Sequence, residues 1–240
     1  MTKKLLIRKI HRYMGLLISL QLLAWTLGGI YFSWNSIDKI HGDHLKKTNG
    51  IEATQQPLIS TNDAIAAIDD LKQLKSIRVI TVINTPAYRV KYNSRDDDNK
   101  TQLVNAIDGS LMPAINKQQA IKIAQSNANF TAAVATVEYL TQTSSHHEYR
   151  EKSLPAWAIT FDHPSSPTFY VASEQGTLTS VRHNSWRIFD FLWMLHTMDY
   201  QTRDDFGNWL IKIFSILALI TAISGIVLFV ISSKSLNKRR

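Results

Sequence analysis

The sequence predicts a membrane protein of the α+β class, in which two transmembrane helices flank a tandem pair of small units, each a helix plus an antiparallel sheet. Three observations predict this. Two long uncharged apolar runs stand near the ends of the 240-residue chain. Basic residues cluster on the terminal side of each run. Between the runs, one helix-and-strand pattern is written twice.

Residues 13–34 (YMGLLISLQLLAWTLGGIYFSW) carry no charge. At about 1.5 Å per residue they cover roughly 30 Å, the hydrocarbon thickness of a bilayer. The second span is assigned to 206–231, with the uncharged core IFSILALITAISGIVLFVI at 213–231 and Lys212 placed to snorkel toward headgroups. The first run is expected to stay as an anchor. It is longer than the ~7–15-residue apolar region of a signal peptide, and no A-x-A site follows it.

Charge sets the orientation. Lys3, Lys4, Arg8, Lys9 and Arg12 precede the first span, and Lys234, Lys238, Arg239 and Arg240 follow the second. Residues 35–205 hold 17 Lys+Arg against 19 Asp+Glu, a net of −2. The positive-inside rule then expects segments 1–12 and 232–240 to be cytoplasmic and 35–205 to be extracytoplasmic. In a bacterial inner membrane that is the periplasmic side. The net charge of +8 and pI of about 9.6 are therefore topology signals. The expected partner is the lipid bilayer, and nucleic acid is not a partner.

After an outer helix extension and linker at 35–59 come the two units, 60–112 and 113–183. Thr61 or Asn62, and Asn116, are candidate N-caps for their helices. Ala64, Ile65 and Ile68 form an apolar stripe in the first helix, and Ala120, Ile121 and Ala124 form one in the second. Each helix is followed by three alternating segments of strand length: IRVITVI, PAYRVKY and TQLVNAIDGSLM in the first unit, AAVATVEYL, PAWAITF and TFYVASEQGTLTSV in the second. Pro86-Ala87-Tyr88 aligns with Pro155-Ala156-Trp157. Asp108-Gly109 and Gln175-Gly176 supply hairpin turns. Residues 184–204 read as an interfacial aromatic helix, with Phe189, Trp193, His196 and Tyr200 on one face.

This pattern resembles the PepSY domain, with its helix containing "AI..A", its "Y.V" strand and its strand ending in "D..G". HRYMGLLISLQLLAWTLGGIYF at 11–32 and LHTMDYQTRDDFGNWLIKIFSILALITAISGIVLF at 195–229 are similar to the membrane segments of PepSY-associated transmembrane proteins. The resemblance covers nearly the whole chain. It implies kinship with membrane-bound reductases that release iron from siderophores using b-type haems, and with many proteins that have no assigned activity. Those reductases have more membrane helices than the two read here.

His41 and His44, in D-K-I-H-G-D-H-L, would share a helix face if the first helix continues outward, with Gly42 weakening that premise. His196 lies before the second span. Both sets are expected near the outer surface, where two imidazoles could clamp a b-type haem inside an aromatic shell. Trp25, Trp34, Trp186 and Trp193 are candidate walls, and Gly28 and Gly29 would allow close approach. The competing reading is an ordinary aromatic belt, with each His bonded to headgroups or carbonyls. His41 and His44 could instead chelate a divalent metal with Asp43 or Asp38. The resemblance implies an inner haem site at His11. A second imidazole on that side would then have to come from a homodimer or a partner subunit.

His146 and His147 read as an exposed loop, Arg95–Lys100 as a hairpin tip, and His163 and His183 as turn and strand-end residues. The chain has no cysteine, which excludes disulfides, Cys-ligated zinc or iron–sulfur sites, thiol nucleophiles and covalent c-type haem. It also lacks G-x-S-x-G, H-E-x-x-H, P-loop and G-x-G-x-x-G motifs. Two functions follow: a haem-bearing electron-transfer component linked to siderophore-iron reduction, or a non-enzymatic module for peptidase restraint or envelope-complex assembly.

Overall fold

Helix α1 (Lys3–Trp34) runs through the whole first apolar segment without a break. Its hydroxyls turn back onto their own helix: Ser19 donates to the Leu16 carbonyl, Thr26 to Leu22 and Ser33 to Ile30. In hydrocarbon an unsatisfied polar group costs several kcal/mol, so this self-pairing lets the helix face lipid. The computed structural model describes residues 3–47 and 56–237. Part of the predicted linker and the basic residues Lys238, Arg239 and Arg240 lie outside the described residues.

The chain divides into a helical unit, built from the chain up to Ile37 and from Arg187 onward, and a β-rich unit, Asp38–Trp186. In the helical unit α1 packs against the last helix, α6 (Trp209–Asn237). Both are long and apolar enough to cross a membrane. Leu20 on α1 and Phe229 on α6 are 69% and 74% exposed, the outward apolar surface a bilayer would cover.

The β-rich unit begins with a short helix, α2 (Ile37–Ile40), and a 3-10 turn at Asp43–Leu45. Between them Gly42 takes φ +76°, so no continuous helix carries His41 and His44. The expected outward extension of α1 is absent: α1 ends at Trp34, Asn35 and Ser36 separate it from α2, and left-handed Gly42 then parts His41 from the turn that carries His44. A Cβ at Gly42 would also sit 3.2 Å from Val181. Buried His183, just past the last strand, bonds through Nε2 to the carbonyls of Lys39 and Ile40 at 3.0 Å each. The incoming and outgoing chains of the unit are thereby clasped together.

The two repeats are both present. Helix α3 (Thr61–Ala66) precedes a meander of β1 (Leu71–Val82), β2 (Thr85–Ser94), β3 (Asn99–Asn105) and β4 (Leu111–Met112). Helix α4 (Lys117–Asn127) precedes β5 (Val134–Leu140), β6 (Ala156–Phe161), β7 (Thr168–Ala172) and β8 (Thr177–Arg182) in the same order. Asn116 closes a full capping box with Gln119, as its position predicts. The first helix is capped by Ser60, whose side chain accepts from Asp63 N–H, rather than by Thr61 or Asn62. Ser60 is the last extended residue, and Thr61 is already helical.

Burial follows strand parity. On β2, Tyr88, Val90 and Tyr92 face α3 and pack with Ala64 and Ile68. Ala87, Val82 and Leu103, on the other face, join one contiguous core with Ala120, Ile123 and Ala124 of α4 and with Ile159, Phe169 and Val171 of the second sheet. The back of the second sheet is covered by the insertion between β5 and β6. Tyr149 there is completely buried, stacked on Tyr170 with centroids 4.4 Å apart. Its hydroxyl donates to the Ser153 carbonyl and bonds to Thr179. The expected exposed loop is therefore a roof.

At the junction of the repeats, Gly176 has φ +64° and its missing Cβ would lie 2.9 Å from both Val82 and Leu103. Gly176→Ala adds backbone strain and a clash in the shared core. It should lower stability by about 1–3 kcal/mol. Chemical denaturation of the full chain in detergent reads this, and a midpoint equal to wild type would contradict the packing.

Candidate functional site

The site grows from helix α5 (Asn184–Thr197), an aromatic segment that continues into the helical unit. At i, i+4 and i+7 spacing Phe189, Trp193 and His196 stand in a row. Phe189 stacks on Trp193 at 5.7 Å, and Trp193 lies nearly parallel to His196 at 6.1 Å. Phe32 of α1 meets all three, at 4.9, 5.9 and 6.0 Å. Trp25 closes the other side of His196 at 6.1 Å, and Phe206 stands edge-on to Trp193 at 5.3 Å. The His196 imidazole therefore sits among aromatic rings.

Polar bonds fix the backbone that carries it. Trp25 Nε1 donates to the His196 carbonyl at 2.9 Å, and buried Gln21 donates to Leu195 O at 2.8 Å. At Gly28 the two helices run close, since a Cβ there would make ordinary contact with Phe32 at 3.4 Å and with Leu192 O of α5 at 3.8 Å. The ring itself is different. His196 Nδ1 is buried and has no hydrogen-bond partner. A buried polar atom left unpaired costs roughly 1–3 kcal/mol, so it asks for a ligand or a function.

Directly after His196 the chain ties a polar knot. Thr197, fully buried, holds its hydroxyl 3.1–3.3 Å from the carbonyls of Trp193, Met194 and Arg203, any one of which can take its single proton. Met198 and Arg203 take positive φ, +54° and +73°. The Asp199 carboxylate accepts from the N–H groups of Gln201, Thr202 and Asp205 and from the Thr202 hydroxyl. Arg203 pairs with buried Asp190 of α5. Asn208 donates to the carbonyls of Thr197 and Asp205 and caps α6 by accepting from Ile211 N–H. Burial pushes the Asp199 carboxyl up. The bonds from Thr202, Asp205 and Gln201 outweigh it and hold the group well below the usual carboxylate range.

Sequence reasoning missed this knot. Its signal was Asp190, a single acid inside the apolar run IFDFLWML, which must find a partner once the helix packs. Tyr200 was expected to extend the aromatic face, but α5 ends at Thr197 and Tyr200 lies beyond it, exposed.

His11 lies on α1, remote in sequence from His196. Its Nδ1 bonds to Ser224 Oγ of α6 at 2.7 Å, and Gly225 leaves space for the ring, since a Cβ there would be 3.3 Å from it. His41 and His44 belong to the β-rich unit. His44 meets His183 edge-on at 5.5 Å, and its ring is pushed below the usual imidazole value by partial burial and then by Lys39. Asp43, a proposed oxygen donor, pairs with Lys46 at 2.6 Å. Among the described residues no group of three His, Asp or Glu side chains converges as a metal site. Trp34 is 84% exposed, and Gly29 has nothing within 4 Å of its Cβ position. Trp186 is a wall of the β-rich unit, covered by the Arg182 guanidinium 4.0 Å above its ring.

Two apolar spans, a doubled helix-and-meander unit and an aromatic histidine before the last span are thus in place. The family described as the PepSY-associated TM region matches residues 8–240. The chain belongs to this family. No protein of curated function and no solved structure matches it. Family membership and the two spans make this a membrane-associated PepSY protein.

The knot can be tested through acid. A carboxylate depressed on folding contributes stability that is present above its unfolded value of about 3.9 and is lost as pH falls toward the folded value. Thermal unfolding of the full chain should therefore hold steady from neutral pH to about pH 5 and weaken below about pH 4. Asp199→Asn should be less stable at pH 7 and show a flatter acid limb. An unchanged acid limb in that variant would remove Asp199 from the account.

Proposed function

We propose that the protein is a membrane-anchored redox component that holds a b-type haem through His196, in siderophore-iron reduction or a related electron transfer at the outer face of the bacterial inner membrane. One observation carries this reading: His196 presents a buried Nδ1 with no protein partner inside an aromatic shell. The donor chemistry fits the group, because neutral imidazole is a good iron ligand and flat aromatic walls suit a porphyrin and exclude water. Among the described residues His196 would hold the group from one side. The sequence offers His41 or His44 for the second imidazole.

Bound haem would supply one-electron transfer between its ferric and ferrous states. The chain's own residues would do the rest. Trp25 and Gln21 hold the backbone of His196 in place, and the Thr197–Asp199 knot fixes the end of α5. Trp193 and Phe32 wall the imidazole and lower the local polarity, a lever on potential. His11, with Nδ1 fixed by Ser224, has the second-sphere bond that usually orients a ligating histidine. An inner site there would draw its second imidazole from another copy of the chain or from a partner subunit.

The test is the visible spectrum of protein purified in detergent from haem-replete cells. A Soret band is expected, with reduced-state bands after dithionite. His196→Ala should lose the band while keeping its circular dichroism. His41→Ala and His44→Ala should identify the second ligand by a shifted or weakened band. Colourless wild-type protein, or an unaltered spectrum in His196→Ala, overturns the proposal and leaves the non-enzymatic module reading in its place.

A further inference from the structure

The back face of the first sheet changes character along its strands. Near the second repeat it is apolar, with Val82, Ile80, Ala87 and Leu103 in or against the shared core. Further along, the register sets Arg78 on β1 directly opposite Arg89 on β2, with Lys91 two residues on along the same face and Thr101 opposite it on β3. Opposed residues of an antiparallel pair share a face with Cβ atoms about 5 Å apart, and the next residue on that face lies roughly 7 Å along. Three cations thus gather on one strip.

Like charges opposed across strands are destabilising unless something neutralises them. Among the described residues no carboxylate forms an ion pair with Arg78, Arg89 or Lys91, whereas nearby Lys72 and Lys100 pair with Asp97 and Asp70. Arg89, half-buried, donates only to the Thr177 hydroxyl at 3.1 Å, on the hairpin of the second repeat. Burial and then Arg78 push its guanidinium below the usual value, as expected of a charge lacking a counter-ion. Glu174, on that same hairpin, pairs with none of the three.

The second repeat shows what this face otherwise requires. With Ala87 aligned to Ala156, the equivalents of Arg89 and Lys91 are Ala158 and Thr160, and the residue opposite Ala158 is Glu138. There Tyr149 of the β5–β6 insertion roofs Ala156, Ala158 and Tyr170 on that face. Among the described residues the first repeat has no such roof. Its β1 and β2 are joined by a tight turn at Ile83-Asn84, both at positive φ. Where one repeat closes the face with its own chain, the other leaves it open and basic.

We propose that Arg78, Arg89 and Lys91 form a binding strip for a polyanion bearing phosphate or carboxylate groups, gripped by the arginine forks. Guanidinium groups pair such oxyanions in bidentate fashion, and three cations over two strands suit two anionic groups better than one. The same chemistry could be offered by a soluble polyanion or by an anionic lipid headgroup.

The experiment is calorimetric titration of the full chain in a neutral detergent at low salt, with pyrophosphate and with citrate. A parallel arm adds phosphatidylglycerol to the micelles. Wild type should bind, and Arg78→Gln and Lys91→Gln, both exposed positions that should leave the fold intact, should each weaken binding about tenfold. Arg89→Gln should abolish it, with circular dichroism checking its fold. Lys117→Gln, on exposed α4 surface, should bind as wild type does. Variant-sensitive binding of pyrophosphate or citrate supports the strip with a soluble ligand, and variant-sensitive binding of phosphatidylglycerol alone supports it with a headgroup. No binding in either arm, or binding indifferent to Arg78→Gln and Lys91→Gln, overturns it.

Discussion

A four-stranded sheet has two faces, and one short helix covers only one of them. That constraint shapes the β-rich unit. The first sheet uses α3 on the face of Tyr88, Val90 and Tyr92, and turns part of its other face into the core that also holds α4 and the second sheet. The second sheet uses α4 in front and the Tyr149 insertion behind. The repeats are therefore not two independent domains. Val82 and Leu103 of the first pack on Gly176 of the second, and the Arg89 guanidinium of the first donates to the Thr177 hydroxyl of the second. A shared apolar cluster of this kind is what a small repeat needs when its own core is too thin to stand alone.

The helical unit obeys a different constraint. A chain that turns between an aromatic helix and a spanning helix exposes backbone groups that lipid cannot satisfy. The corner at 197–208 answers with Thr197, Asp199 and Asn208, each bonding several backbone groups, and with the Asp190–Arg203 pair. Two residues accept positive φ to make these bonds possible. The Nδ1 of His196, one residue upstream, and the Nε of Arg203 within the corner are buried without a hydrogen-bond partner.

Much of the architecture was legible in the sequence because it rests on strong, local signals. Uncharged length gives the spans, and the Pro-Ala-aromatic strands with glycine turns give the duplication. Asn116 with Gln119 gives a capped helix. What stayed hidden depends on single residues whose meaning is tertiary. The insertion T-S-S-H-H-E-Y-R-E-K is polar in composition, so its one anchoring ring, Tyr149, was outvoted. Gly42 carried a warning that the helix would stop before His44, yet the left-handed turn it makes is fixed by Val181 and His183, more than 130 residues away in sequence. The row of Phe189, Trp193 and His196 followed from helical spacing, but its partners Phe32 and Trp25 come from another helix. The knot was invisible because Asp199 acts on backbone groups, which carry no sequence signature.

The duplication explains where new chemistry could arise. Two copies of one unit begin with the same faces to cover. In the second copy the β1–β2-type connection lengthened, and the residues beneath it are small and apolar, Ala156 and Ala158, so that Tyr149 and Tyr170 can close over them. In the first the connection is as short as a hairpin allows, which leaves the corresponding strip facing outward. A face with no roof has no reason to stay apolar, and an outward face could as well have been made of serine and glutamine. It carries instead two arginines placed head to head, an arrangement that costs stability in the isolated chain. The cost makes physical sense when a counter-charge comes from outside the chain, which makes this strip, rather than the neutralised pairs at Lys72 and Lys100, the feature of the first repeat that its own folding does not explain.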